Sequence, residues 1–595
     1  MRRLTSGAVA VVTGVFVLGG TRQAAQGLTI AEGGQAKAVV VVAADATEAE
    51  HHAADELASF LHQVTGAKFE IVEKADAARS RLLVGPGAAQ LADSSFSAEG
   101  LGADGLVIRT VGNDLILAGG RPRGTLYAVY TFLEDVVGCR WWSSKVSTIP
   151  SKSTLKADAL DVRFIPRLEY RESFWFDGFD GDWAVRNKSN GHSERLDAQR
   201  GDKHVYEGFV HTFFPLIPPD KYFPDHPEWF SEIDGQRKHE QAQLCLTNED
   251  LRQELVKNLK ARLRANPSAT IASVSQNDWH GWCQCKACAA IDQAEGSQAG
   301  TMLRFVNAVA ADIEKEFPHV AISTLAYQYT RKPPKLVRPR DNVIVRLCSI
   351  ECSFSKPLTD EVNAAFRQDI EGWSKICDRL YIWDYTTNFR HYLLPHPNLR
   401  VLAPNIKFFV DHGVKGIFEQ GAYQSFGAEM AELRAWVLAK LLWDPSRDGD
   451  ALVDEFLDGY YGPAAKHVRA YLKVTHDAVA KSGDKLGCFT REDAKFLSLM
   501  TLNEGMAHLK AAEAAAGSDA DLVRRVQVAQ LPVLYTCLVR WDALRKEAAE
   551  NGAAWPVAED KTAAYEQFMK VAKSANVTRV AEGRELAWVS TLMKE

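Results

Sequence analysis

Residues 270–278 read TIASVSQND and run directly into Trp279. The stretch opens with β-branched and small apolar residues suited to a buried strand and ends abruptly in polar side chains. A strand that releases its polar groups only at its C-terminal end is how a parallel barrel presents functional side chains. Three later stretches repeat the pattern: VIVRLCSIE ending at Glu351, LYIWD ending at Asp384, and VKGIFEQ, which carries Glu419. One carboxylate after a strand is as readily a helix cap or loop residue. Four of them, each beside an aromatic or an amide, point to one acidic site built from Asp278, Glu351, Asp384 and Glu419.

Working outward, eight strand candidates span 163–445: LEYRESFW (168–175), HVYEGFVHTFF (204–214), QLCLT (243–247), 270–278, VAISTLAYQYT (320–330), NVIVRLCSIE (342–351), RLYIWDYT (379–386) and GVKGIFEQG (413–421). Helical patterns such as 300–318 and 361–378 lie between the later ones. This rhythm predicts an α/β fold, a (β/α)8 barrel. Residues 28–162 read as a smaller α/β domain, with a strand at AVVVVA, a helix closed by Gly66, a hairpin turn at Gly112-Asn113-Asp114 and a helix from Gly124. Its glycine-rich run 119–124 lacks the GK[ST] of a phosphate loop and reads as a tight strand-to-helix turn. Residues 446–595 carry amphipathic helical patterns and predict a helical C-terminal domain.

A chain of 595 residues is too long for one core. Its 70 basic and 76 acidic residues leave a net charge of −6 with no block of like charge, which favours neither nucleic acid nor an anionic membrane as partner. The start, MRRLTSGAVAVVTGVFVLGG, places Arg2 and Arg3 before a short apolar run, with small residues Ala24 and Ala25 beyond it. That is the layout of a secretory leader over 1–27, so the protein is expected to be exported, periplasmic or extracellular, with no membrane span after leader removal. Ten cysteines are too sparse for a disulfide scaffold. The exception is WCQCKACAA, where Cys283, Cys285 and Cys288 stand close enough for a local disulfide or a metal, with His280 as a possible fourth ligand. Either way the cluster pins the loop after Asp278. No cofactor and no catalytic metal are expected.

The run GGRPRGTLYAVYTFLE and the pair Trp141-Trp142 resemble the accessory domain that precedes the barrel in family 20 hexosaminidases and family 67 α-glucuronidases. Over the rest of the chain, SQNDW, C-x-C-x-x-C, VIVRLCSIEC, LYIWDYTTNF, GVKGIFEQGAY and ELRAWVLAKLLWDP are similar to glycoside hydrolase family 163, formerly the DUF4838 family. The resemblance implies a hydrolase acting on oligosaccharide or glycoprotein glycans, an endo-β-N-acetylglucosaminidase of the N-glycan core. An α-glucuronidase-like or other inverting glycosidase, and a non-catalytic glycan-binding protein, remain alternatives.

Glycoside hydrolysis needs a carboxyl group that protonates the leaving oxygen and a second group that supports the anomeric centre. Strand ends of a barrel converge on one mouth, so the four carboxylates are expected to meet there. Trp175, Trp279, Tyr327, Trp383 and Tyr385 are sugar-stacking candidates, although each alone is as readily a core residue. Gln276, Asn277, Gln420 and His211 offer polar groups for sugar hydroxyls, and the amides can equally cap turns. Asn277 beside Asp278 fits substrate-assisted cleavage, in which the 2-acetamido oxygen is the nucleophile, Asn277 or a nearby carboxylate orients it, and Asp278 is acid and then base. Related barrels place Glu at that position, so the shorter Asp278 is a departure, and Glu351 or Glu419 is the alternative acid. The family 67 resemblance implies instead that Glu351 and Asp384 activate water in an inverting reaction.

Overall fold

The computed structural model describes residues 27–76 and 78–594; the expected leader lies outside them. The N-terminal unit is built on a six-stranded sheet ordered Asp161–Phe164, Leu106–Val111, Asp114–Gly119, Ser80–Val84, Ala38–Val42, Ile71–Val72. Helix Glu48–Thr65 packs on it, started by a capping box between Thr47 and Glu50 and stopped by Gly66 in the left-handed region. The glycine-rich run is a close backbone crossing: a Cβ at Gly120 would strike the Gly102 carbonyl, and one at Gly124 the Gly105 carbonyl. No phosphate cradle is formed there.

The central sheet has seven parallel strands in the order Tyr170–Phe174, Gly416–Gln420, Leu380–Tyr385, Val343–Cys348, Ala321–Ala326, Ile271–Ser273, Tyr206–Glu207. The row curls on itself. Tyr170, Tyr206, Ile271, Ala321, Ile344, Tyr381 and Phe418, one from each strand, pack into a single buried cluster that fills the lumen. Between the two ends of the row runs an irregular stave, 190–193. Asn190 donates its N–H to the Arg171 carbonyl at 3.1 Å, and its own carbonyl accepts from the His204 N–H at 3.0 Å. The Tyr206 N–H donates to His192 Nδ1 at 3.1 Å and the Ser193 N–H to Glu172 at 2.9 Å. The barrel thus closes with seven strands and one strapped segment.

This corrects two strand expectations. The second candidate shrinks to Tyr206–Glu207, and QLCLT is not a stave at all; only Leu244 forms a bridge, antiparallel to Phe230. The side chains of Gln243 and Cys245 are committed to the rim, as described below, which holds this segment above the barrel.

Inside the lumen Arg346 is 1% exposed. Its guanidinium lies 5.1–5.9 Å from the rings of Tyr206, Phe209, Tyr170, Phe418 and Tyr381 and donates to the Tyr206 hydroxyl at 2.6 Å. Aromatic faces and a buried Glu172, hydrogen-bonded by Tyr170, compensate the charge. The lumen is therefore plugged beneath the C-terminal strand ends. Helix Ala431–Trp443 is buried along its length between barrel and C-terminal helices. Glu134, from the N-terminal unit, is paired with both Lys188 and Lys440, stitching that unit to the barrel and to this helix. From Gly449–Tyr461 to Lys561–Ser574 the chain is mainly helical. Among the described residues no helix is long and apolar enough to cross a membrane.

Candidate active site

Side chains alternate across a strand, and the lumen cluster fixes which parity points inward. On Leu380–Tyr385 the inward residues are Tyr381, Trp383 and Tyr385; on Gly416–Gln420 they are Phe418 and Gln420; on Tyr170–Phe174 they are Tyr170, Glu172 and Phe174. Around the mouth Phe174, Phe209, Trp383 and Tyr423 are partly exposed. Phe174 meets Phe418 at 4.7 Å and Tyr423 at 5.0 Å, and Trp383 meets Phe418 at 4.7 Å and Phe209 at 5.6 Å, between ring centroids. Together they make a continuous aromatic floor. Trp383 Nε1 donates to Gln420 Oε1 at 2.8 Å, which fixes both side chains at the rim.

Asp278, beyond the C-terminal end of strand Ile271–Ser273, has its side chain 59% exposed and its carboxylate 3.9 Å from His211 Nε2. The loop that carries it is rigidly held. Gln243 receives the Asn277 N–H at 2.9 Å and donates to the carbonyls of Asn277 and Trp279 at 3.1 and 2.6 Å. Gly281 crosses the Gln241 carbonyl with φ +84°, an approach that a Cβ would block. His211 has φ +56°, a conformation unfavourable for a residue with a Cβ and found where a site over-determines it. Its N–H donates to Ser275 Oγ at 2.9 Å and its Nδ1 lies 2.8 Å from the Gln276 carbonyl. A carbonyl only accepts, so Nδ1 carries the hydrogen and Nε2 is left to face Asp278. Tyr327 lies on the other side of Asp278: burial first, then the neighbouring Asp278 carboxylate, raise its phenol above the usual range.

Glu351 reaches the same end of the lumen. Burial raises the Cys348 thiol at the top of its strand, and the carboxylates of Glu351 and Asp278 both add to that rise. Glu351 is not free, however: Arg331 binds it at 2.9 Å and Asp369 at 2.6 Å. Tyr327, Arg331, Glu351 and Asp369 line a groove of about 800 Å³ that runs outward from the mouth, with His280 and Tyr329 on its walls.

Other expected site residues are placed elsewhere. Asp384 and Glu419 have the outward parity and are 5% and 1% exposed, so they lie behind the wall and not in the mouth. Asp384 accepts from Ser349 and from the Tyr385 N–H; burial pushes it up to about 6. Both oxygens of Glu419 lack a hydrogen-bond partner, and burial followed by the Asp384 charge holds it well above the ordinary carboxylate range. Trp175 is also outside, 1% exposed and pressed against Gly421. Asn277 spends its amide on the Phe214 N–H and the Ala242 carbonyl, at 3.3 and 3.2 Å, and so braces the loop. Gln276 is buried and donates to Thr330 and the Tyr327 carbonyl. The Trp279 indole donates to Ala242 at 2.8 Å and packs on Phe214, bracing the loop. Of the thirteen expected residues, the mouth brings together Asp278, His211, Tyr327, Glu351, Trp383, Tyr385 and Gln420.

The cysteine cluster is larger than expected and has a different fourth member. Cys245 joins Cys283, Cys285 and Cys288, all four buried and none in a disulfide. His280 is exposed and points its ring toward Trp282 and Tyr329 instead.

A parallel β/α barrel with an aromatic, acidic mouth and an N-terminal α/β unit is the class that this geometry defines. Residues 141–473, over half of the chain, match the family model described as Domain of unknown function (DUF4838), and the chain belongs to that family. Residues 29–132 match the model described as Glycosyl hydrolase family 67 N-terminus. None of the curated proteins matches the chain. Among solved structures the chain is similar to one described as a family GH115 4-O-methyl-α-glucuronidase, BtGH115A, with specificity for decorated arabinogalactans. The identity is 14% and the TM-score 0.60, over 92% of this chain and 77% of that one. CpGH84B follows at 11% identity and TM-score 0.48 over 93% and 96%, and an N-acetyl-β-hexosaminidase of Streptomyces plicatus at 12% and 0.43 over 73% and 92%. At these identities the likeness to BtGH115A is one of fold.

Proposed function

We propose that the protein is a glycoside hydrolase whose proton donor is Asp278, acting on a β-linked N-acetylglucosamine within a larger glycan. The observation that carries this reading is the disposition of the four carboxylates. Two are buried behind the barrel wall, Glu351 is tied to Arg331, and Asp278 is the most exposed of the four, with His211 near its carboxylate at 3.9 Å. One free acid in a mouth fits a mechanism in which the substrate supplies its own nucleophile, the 2-acetamido oxygen, and the protein supplies acid and then base. The aromatic floor offers faces for pyranose rings. Tyr327, beside Asp278, is in place to hold the acetamide. The groove past Glu351 leaves room for further sugar units, which supports cleavage inside a chain. The resemblance to glycoside hydrolase family 163 supports the same substrate class, and export would bring the enzyme to it.

A second reading, hydrolysis of uronosides, is favoured by the family 67 match over residues 29–132 and by the likeness to a glucuronidase. Incubation with released and protein-bound N-glycans and with glucuronic-acid-decorated polysaccharide, followed by mass analysis of products, separates the two. Internal cleavage at N-acetylglucosamine supports the first; release of uronic acid alone overturns it.

A further inference from the structure

We infer that Cys245, Cys283, Cys285 and Cys288 form a closed tetrathiolate site for one structural zinc ion that fastens the rim of the mouth. The four sulfurs lie within 4.8 Å of one another. Cys245 Sγ is 3.7 Å from Cys285 Sγ and 4.0 Å from Cys288 Sγ. Four thiolates at about 2.3 Å from a tetrahedral zinc are separated from each other by about 3.8 Å, so the observed spacing leaves room for the ion at the centre. A disulfide requires about 2.05 Å between sulfurs, roughly half of what is seen.

The surroundings suit thiolates. The Glu232 N–H donates to Cys283 Sγ at 3.3 Å, Arg237 points a guanidinium N–H at the same sulfur from 3.7 Å, and the Thr247 hydroxyl lies 3.3 Å from Cys288 Sγ. Such outer hydrogen bonds orient ligands and offset the negative charge of four thiolates around a divalent ion. An all-sulfur set selects a soft metal over magnesium or calcium, and four protein ligands leave no open position for water or substrate. The site is therefore structural. Its ligands come from both sides of the catalytic loop. Cys245 sits two residues after Gln243, which grips 277–280, while Cys283, Cys285 and Cys288 follow Asp278 directly. The ion would lock these two segments of chain together, and with them the loop that carries Asp278.

The test uses the full chain purified without chelator. Elemental analysis should find about one zinc per chain, and intact mass under denaturing conditions should show all ten cysteines reduced. Replacing the metal with cobalt(II) should give the intense visible bands of a tetrahedral thiolate complex. Cys288→Ser should lower bound zinc severalfold, whereas Cys537→Ser, a buried cysteine in the C-terminal helices, should leave it unchanged. Limited proteolysis should cut the 278–290 segment faster after zinc removal. A metal-free protein whose mass is about 4 Da low, the loss expected of two disulfides, would overturn the inference, as would iron in place of zinc. These readouts do not depend on glycan turnover and stand whatever the enzyme's substrate proves to be.

Discussion

Asp384 and Glu419 are register partners on neighbouring strands, and both point away from the lumen into the layer between barrel wall and helices. Each raises the cost of charging the other. With Asp384 pushed up to about 6 and Glu419 held well above the ordinary carboxylate range, the pair keeps protons that the unfolded chain releases near pH 4. A raised folded value contributes stability that is fully present at low pH and is lost as pH rises through it. Denaturant unfolding should therefore show stability falling between pH 4 and 7, by about 3 kcal/mol for Asp384 alone. Asp384→Asn with Glu419→Gln should flatten that slope while leaving glycan turnover within a few fold. A large loss of turnover in a folded Glu419→Gln protein would return that residue to the catalytic set.

Glu351 is held in a charged network with Arg331 and Asp369 at the edge of the groove. Its expected role is to place substrate and the groove wall. Glu351→Gln should lower kcat/KM about tenfold, equally for natural glycans and for activated aryl glycosides. A loss confined to poor leaving groups would contradict this.

Gly421 lies directly against the Trp175 ring, where a Cβ finds no space. Gly421→Ala should cost roughly 1–3 kcal/mol of stability through overpacking, seen as a lowered Tm, and Trp175→Leu should recover part of it. An unchanged Tm in Gly421→Ala would show that the wall yields there.

Trp383 presents a partly exposed ring between Phe209 and Phe418 and is pinned by Gln420. If this ring is a sugar platform, Trp383→Ala should raise KM roughly tenfold, on the order of 1 kcal/mol of stacking, with a smaller effect on kcat. Isothermal titration with a product glycan checks the same point; unchanged affinity would remove Trp383 from the site.

Much of this was legible in the sequence, and the departures have two causes. The order of the strands from 270 onward, the polar end at Asp278 and the importance of the cysteine loop follow from pattern and composition. Asp384, Glu419 and Trp175 fall behind the wall because of parity. In WDY, Trp383 and Tyr385 share a face that Asp384 cannot share, so the motif could supply either its aromatics or its carboxylate to the mouth. The same alternation makes Phe174 the inward neighbour of Trp175. Cys245 was hidden for another reason: its segment resembles a strand by composition, and its place as the fourth thiol of the cluster depends on contact with cysteines that begin 38 positions later. His211 and Phe209 lie in a stretch whose strand ends early, and only the Ser275 and Gln276 contacts show what the remainder does.

The central claim is that Asp278 donates the proton, and the leaving-group dependence of Asp278→Asn tests it most directly. Loss of a general acid costs about two to four powers of ten, but a nitrophenolate leaves without protonation. Asp278→Asn should bind glycan, lose turnover of N-glycans by at least about a hundredfold, and keep most of its activity on a nitrophenyl N-acetylglucosaminide or its extended analogue. Near-normal glycan turnover by Asp278→Asn, with Glu351→Gln showing the leaving-group-dependent loss instead, would contradict the account and move the acid to Glu351.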